Sequence, residues 1–497
     1  MGVKGRSRRR VGRVIPVGIL LLVLLPLWPA WWTVLSDRDS RVALAAGQRD
    51  DASRLNRTSV QVLVPEGDMD TIIATVRSAL ANARDQNLPV SIGGARHSMG
   101  GQSLVEGGWL IDMTQVNGMT LREDKTILRV GAGARWAAII AFLHAHDRAV
   151  AVMQSNNSFS VGGSISVNCH GWQYGRAPIA ETVVSFTLMK ADGDVVTCSR
   201  SENTELFSLV LGGYGLFGII LEVELMVVPN ERYRIEQYTV SSGDALSLYE
   251  EQVAQPGVAM AYGRMSVDAK VFLSEVIVNV LRRDEELSLD QKALPPPAMP
   301  GIRRSLFRGS VDSNYGKHLR WWAETVVQPR IRAQTVERNN LMNEPVAVFE
   351  NRKEVSTDIL HEYFIPEDHV GPFVAALQRI IPEHEGNLLN VTIRHVAADQ
   401  DTWLRYADQP MFAFVMLFNQ KRTEAGETRM REMTRVLIDA ALEEGGRYYL
   451  PYRLHATPEQ FHRAYPMART FFERKAQYDP DLLFQNAFYR RYAPIRP

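Results

Sequence analysis

The sequence predicts an α+β protein: a two-part domain of glycine-rich loops, a second domain of antiparallel sheet and helices, and an N-terminal transmembrane helix. Three observations predict it. Strand-like and helix-like stretches alternate from residue 57 to about 228 and are interrupted by three glycine-rich loops. Composition shifts at Pro229, after "GIILEVELMVVP", and mixed strands and helices then run to about Gly445. A basic flank (Lys4, Arg6, Arg8, Arg9, Arg10, Arg13) precedes an uncharged run over residues 14–35. The expected divisions are 1–55 for the basic flank, anchor and linker, 56–229 for the loop domain, 230–447 for the second domain, and 448–497 for a closing segment.

The uncharged run has 22 residues, enough to cross a hydrocarbon core of roughly 30 Å as a helix. Pro16, Pro26 and Pro29 are better tolerated there than in a soluble helix. Trp28, Trp31 and Trp32 cluster at its far end, as interfacial tryptophans do, and the basic flank should stay cytoplasmic. Everything after residue 35 is then expected outside, with the chain held at the membrane by one span. A cleaved signal peptide ending at "ALA" (43–45) is the competing reading, although Asp37, Arg38, Asp39 and Arg41 lie between. "RRR" at 8–10 also invites a twin-arginine reading, with a poor remaining consensus.

In chain order, "SVQVLVP" alternates like a strand, and "MDTIIATVRSALANARDQN" has helical periodicity with acid near its start. "LPVSIGG" reads as a buried strand entering a glycine loop; "LIDMTQVNGMTL" and "ILRVGAGA" are further strands and "RWAAIIAFLHAHD" a helix. Beyond a proline-rich break at "LPPPAMPG", "HEYFIP" and "MFAFVMLF" read as strands and "ETRMREMTRVLIDAALEEG" as a helix.

The loops carry the chemistry. "SIGGARHSMGGQ" (91–102) puts four glycines, Arg96 and His97 into twelve positions. Glycine lets backbone N–H groups approach a ligand closely, and successive N–H groups form a cradle for phosphate. No Gly-Lys-Ser/Thr follows, so this is not a Walker A loop. A second loop, "VGGSISVNCHGWQYG", lies about 65 residues on, and "LGGYGLFGII" is a third. Two such loops suit a diphosphate lying between two subdomains. A formal net charge of zero gives no global field for nucleic acid. With neither HExxH nor CxxC, no metal site is expected.

These motifs resemble the PCMH-type FAD-binding domain of the vanillyl-alcohol oxidase superfamily. "PVSIGGARHS" followed by "LIDMTQVN" is similar to that family's first diphosphate loop and next strand, and "VGGSISVNCHG" with "LMKADGDVV" to its second. "YDPDLLFQNAFYRRY" resembles its C-terminal return to the flavin domain. The nearest subfamilies are the sugar-lactone and alditol oxidases and the decaprenylphosphoryl-ribose oxidases. "GGRYYLPYRLHATPEQFHRAYP" resembles the active-site strand of the latter, with Tyr452 where they have lysine.

The resemblance implies FAD as cofactor and an FAD-dependent oxidoreductase acting on a CH–OH group of a sugar, sugar lactone or polyol. Gly93, Gly94, Ala95, Arg96, His97, Ser98 and Met99 would wrap the cofactor's pyrophosphate and ribityl chain. His97 would either carry the flavin covalently or lie beside its ring. Gly162, Gly163, Ser164, Asn168, His170 and Gly171 would form the second loop, with Ile220 on the adenine side and Asn486 a weaker candidate. His170 serves equally as a packing histidine.

Substrate groups are expected on a strand holding Tyr449, Tyr452, Arg453 and His455. Tyr452 or His455 would be the base and Arg453 the group holding an anionic or polyhydroxyl substrate; Arg394 is a weaker candidate. If the strand is regular, Tyr449 and Arg453 share one side and Tyr452 faces the other. Expected partners are a small sugar-type substrate, O₂ or a quinone as electron acceptor, and the membrane, with no nucleic acid. A polyprenyl-phosphate sugar 2-oxidase and a non-catalytic tethered flavoprotein are the alternatives. "IRRSLFRGSVDSNYGKHLRWWAETVVQPRIRAQ" mixes basic residues with tryptophans, which suits either an anionic lipid surface or a solvated helix.

Overall fold

The computed structural model describes residues 28, 32–33, 38–284, 294–296, 300–331 and 335–494. Three larger sheets organise them, beside a two-stranded pair of Gln48–Arg49 with Thr58–Ser59. In the first, Trp109–Asp112 lies parallel between Gln61–Leu63 and Val90–Gly93. The helix Met69–Asp85 starts at Asp68, whose side chain accepts from Thr71 N at 2.8 Å and satisfies one N–H left open by the first turn. Ile72, Val76, Ala79, Leu80 and Ala83 recur at helical spacing and are buried with Val90 and Ile111 of the sheet. The tail joins here: Val90 N donates to Leu483 O at 2.7 Å, and Gln485 N to Val90 O at 2.9 Å. The C-terminal return implied by "YDPDLLFQNAFYRRY" is present.

The second sheet is antiparallel. Ile219–Pro229 sits between Val183–Met189 and Ile127–Gly131 and also pairs with Arg148–Val150. Pro229 ends that strand, and Arg232–Ser241 begins the third sheet.

The third sheet has eight antiparallel strands, with Asn387–Val396, Met411–Lys421 and Ser356–Pro366 near one end and Arg232–Ser241, Glu275–Arg283 and Val258–Met265 near the other. Side chains alternate across a strand. On Met411–Lys421, Phe412, Phe414, Met416 and Phe418 are buried in the core, while Val415 and Leu417 face a cavity. Phe414 meets Phe373 of the helix Val370–Glu383 with ring centroids 5.2 Å apart. One face of the sheet is thus covered by helices and the other is turned to the loop domain.

One expectation falls on residues outside those described, and another changes. Residues 14–35, read as a transmembrane helix, lie outside the described residues apart from Trp28, Trp32 and Thr33. Among the described residues, no helix is long and apolar enough to cross a membrane. The expected active-site strand is also shorter: Arg447–Tyr448 are its only strand residues, and 449–457 are irregular. Pro451 has no N–H for a ladder. The carbonyls of Leu450 and Tyr452 accept from Gln102 Nε2 at 2.7 and 2.9 Å, and that of Pro451 from Met99 N at 2.8 Å.

Candidate active site

A cavity of about 2110 Å³ lies between the loop domain and the eight-stranded sheet. Small-molecule pockets usually hold roughly 300–1,000 Å³, so this one takes a large cofactor together with a substrate. Gly93, Gly94, Ala95, Arg96, His97, Ser98 and Met99 line it from the first loop. Gly162, Gly163, Ser164 and His170 line it from the second, and Ile220 from the third.

The first two loops touch, which explains their bareness. A Cβ on Gly94 would lie 2.1 Å from Ser160 Oγ, and one on Gly162 2.9 Å from Ala132 O. Ala95 N donates to Ser160 Oγ at 3.2 Å. Arg96 holds a left-handed φ of 53°, and its guanidinium pairs with Asp112 at 2.5 Å. His97 stacks on Phe159 with centroids 4.3 Å apart. Burial, with Arg135 and Arg96 nearby, holds its imidazole down at about 4. At neutral pH it is therefore an uncharged, nucleophilic ring.

Opposite the loops, alternate residues of the sheet point into the cavity, among them Glu362, Arg394, Thr392 and Arg264. Glu362 is 3% exposed. Its Oε2 accepts from the Tyr452 hydroxyl at 2.9 Å, and its Oε1 faces His170 Nε2 within hydrogen-bonding contact. Burial alone would raise Glu362; His170, the charge of Arg394 and the Tyr452 donor outweigh it and hold the carboxyl below its usual value. Burial and Glu362 push Tyr452 well above an ordinary phenol, so it stays protonated and donates. Arg394 is 7% exposed and donates from Nη2 to Ser155 Oγ at 3.1 Å.

Several predicted residues stand elsewhere. Arg453 does not line the cavity: it pairs with Glu427 at 2.5 Å and donates to Asn56 Oδ1 and Met99 O. His455 faces Glu427 at 2.8 Å and Thr434 Oγ1 at 2.9 Å, also away from the cavity. Both were expected at the substrate because a regular strand would have carried them there; the turn after Pro451 directs them to the helix Glu424–Glu443 instead. Tyr449 and Tyr452, expected on opposite sides, both line the cavity with rings 5.6 Å apart. Asn168 is tied to Asp399 at 2.9 Å and to Ala180 N at 3.1 Å, and shapes the second loop from behind. Gly171 lies against Met153 O. Asn486 caps the helix Ala487–Tyr492 and donates to Gln102 O and Tyr214 O, both at 2.8 Å. These three are positioning residues. Glu362 was missed, although a lone carboxylate inside the apolar run "HEYFIP" was the available signal.

The cavity fits FAD by its own chemistry. His170 Nδ1, Trp172 Nε1 and Arg394 Nε are buried on lining residues with no hydrogen-bond partner among the described residues. Such groups call for a polar ligand, and the glycine contacts leave bare backbone where the two loops meet. Among the described residues, no group of three or more His, Cys, Asp or Glu is placed to hold a metal ion.

Comparison with known proteins agrees. Residues 71–199 match the family described as FAD binding domain. Cytokinin dehydrogenase 2 of Arabidopsis thaliana is 27% identical over 237 residues, 48% of this chain and 46% of that protein. L-gulonolactone oxidase of Mus musculus is 33% identical over 160 residues, 32% of this chain and 36% of that protein. The matches thus span less than half the length of either relative. Cofactor cradle, fold and sequence matches converge: the chain carries an FAD binding domain over residues 71–199 and is similar to PCMH-type flavoproteins of the vanillyl-alcohol oxidase superfamily.

Proposed function

We propose that the protein is an FAD-dependent oxidoreductase that oxidises a CH–OH group of a sugar, sugar lactone or polyol. The observation that carries this reading is the buried His170–Glu362–Tyr452 cluster beside Arg394, in a cavity lined by both glycine loops. Bound FAD would supply the hydride acceptor. The chain's own part is to orient the alcohol and take its proton. Tyr452 reaches the cavity and passes its hydroxyl proton to Glu362 as it accepts the substrate's, which gives a buried carboxylate access to the substrate oxygen. Arg394, with Nε unpartnered, steadies the charge that develops on that oxygen. Likeness to L-gulonolactone oxidase supports a lactone-type substrate.

His97 is the residue that would carry FAD covalently, since its ring is neutral and in the loop that cradles the cofactor. Residues 14–35 are read as a membrane anchor, with the flavoprotein outside the cytoplasm. O₂ or a quinone would take the electrons onward. A second reading, a lipid-linked sugar phosphate as substrate, is favoured by the apolar side chains at the cavity mouth. The test is anaerobic mixing of purified full-length protein with sugar lactones and polyols. Bleaching of the flavin absorbance is expected; a flavin that none of them reduces rejects the reading.

A further inference from the structure

Apart from the buried Phe307, the helix Pro300–Arg308 reverses the packing of a water-facing element. It buries Arg304 and Arg308, 7% and 6% exposed, yet presents Ile302 and Leu306, one turn apart, at 58% and 39%. Arg304 Nε donates to Glu350 O at 2.9 Å and Arg308 pairs with Asp358, so the arginines are held inward by specific partners. Further along, Trp322 is 47% exposed and Ile331 76%, while the neighbouring Trp321 is buried. Ile302, Leu306, Trp322 and Ile331 all line the same cavity that the flavin loops line. Side chains that are both exposed and cavity-lining form its mouth. Exposed apolar residues clustered round one opening mark a contact surface rather than scatter. Arg303, which pairs with Glu344 at 2.8 Å while its side chain stays 44% exposed, and the exposed Arg330 accompany them.

The chain leaving the apolar run enters the fold here: Ser40 N donates to Arg352 O at 3.0 Å, and Val42 N to Glu354 Oε2 at 3.1 Å. Arg41 pairs with Glu350 at 2.5 Å, the residue whose carbonyl holds Arg304 of the mouth helix. Glu350 therefore joins the entry of the N-terminal chain to the mouth. The five Cα-to-Cα steps from residue 35 to residue 40 span at most about 18 Å even fully extended. A bilayer holding residues 14–35 would lie within that reach of Ser40, on the side of the fold where Glu350 meets the mouth helix.

We propose that Ile302, Leu306, Trp322 and Ile331, flanked by Arg303 and Arg330, rest on an anionic lipid bilayer, so that the cavity opens at the membrane surface. Apolar side chains enter the acyl boundary and the arginines meet lipid phosphate. A ligand then reaches the cavity from the lipid surface rather than from bulk water.

The test uses the full chain with one added cysteine, Ile302→Cys, Ile331→Cys or Met467→Cys, labelled with an environment-sensitive thiol fluorophore. Cys169 and Cys198 are buried and do not compete. Met467 is 46% exposed and does not line the cavity, so it is the control. Bound flavin absorbance confirms that each variant is folded. On vesicles of phosphatidylcholine and phosphatidylglycerol, the labels at 302 and 331 should shift to shorter wavelength and be quenched by spin-labelled lipid, with 467 unchanged. Vesicle-bound protein whose labels at 302 and 331 behave like that at 467 overturns the proposal. So does a full chain that does not bind the vesicles.

Discussion

The Tyr452 hydroxyl donates to Glu362 Oε2 at 2.9 Å, although the two residues lie 90 positions apart. Gln102 fixes one end of this relationship by holding the Tyr452 carbonyl at 2.9 Å, and His170 fixes the other by occupying Glu362 Oε1. A loop that lines the cofactor cavity thereby also sets the position of the proton acceptor.

Glu362→Gln and Tyr452→Phe should each slow anaerobic flavin reduction by about 10²–10⁴-fold, the usual contribution of a general base. Flavin content should remain that of the wild type, because neither group belongs to the glycine loops. Single-turnover reduction measured by stopped flow decides this. Wild-type rates in both variants would remove the pair from the mechanism.

Arg394→Met tests charge stabilisation separately. Losing one donor aimed at developing negative charge typically costs about 10²–10³-fold in rate. The loss should fall mainly on the limiting rate of reduction, with a smaller change in substrate affinity. If affinity alone changes, Arg394 only binds substrate.

The glycine loops were legible because close contact leaves no alternative residue: a Cβ at Gly94 would meet Ser160 Oγ at 2.1 Å. The helix Met69–Asp85 was legible for a local reason too, its buried residues recurring at helical spacing behind an aspartate cap. The cluster round Glu362 was not. Its partner His170 is 192 positions away, and no local periodicity reports such a pair. The segment after Tyr448 misled because mixed polarity resembles a half-buried strand, whereas Pro451 and the donors Gln102 and Met99 turn it into a stapled loop.

His455 meets Glu427 and Thr434 rather than the cavity, so His455→Gln should leave the rate of flavin reduction close to wild type. Glu427→Ala, which strands Arg453 and His455 together, should instead lower stability; the pair is partly buried, so the loss should fall below the roughly 3–5 kcal/mol of a fully buried pair. Thermal melting and stopped-flow reduction on the same preparations separate the two effects. A reduction rate that collapses in His455→Gln, with flavin retained, would return that residue to the chemistry.

Acid should destabilise the protein in two stages. Burial holds His97 down at about 4 and His361 at about 3, from an ordinary 6.5. As pH falls below 6.5 the unfolded chain takes up protons that the folded chain refuses, so stability falls, by about 1.4 kcal/mol per pH unit for each such proton. The carboxylates follow. Burial would raise Glu427, but His455 and Arg453 outweigh it and hold it at about 2, from 4.5. Its contribution is whole above 4.5 and is lost as pH falls toward 2. Both effects have the same sign, with the histidines acting first. The melting temperature should therefore decline already between pH 6.5 and 5, before the carboxylates titrate. His361→Gln, which removes one of these protons, should flatten that early decline. A melting temperature that is level from pH 7 to 5 in the wild type would show that these imidazoles are not held neutral by the fold.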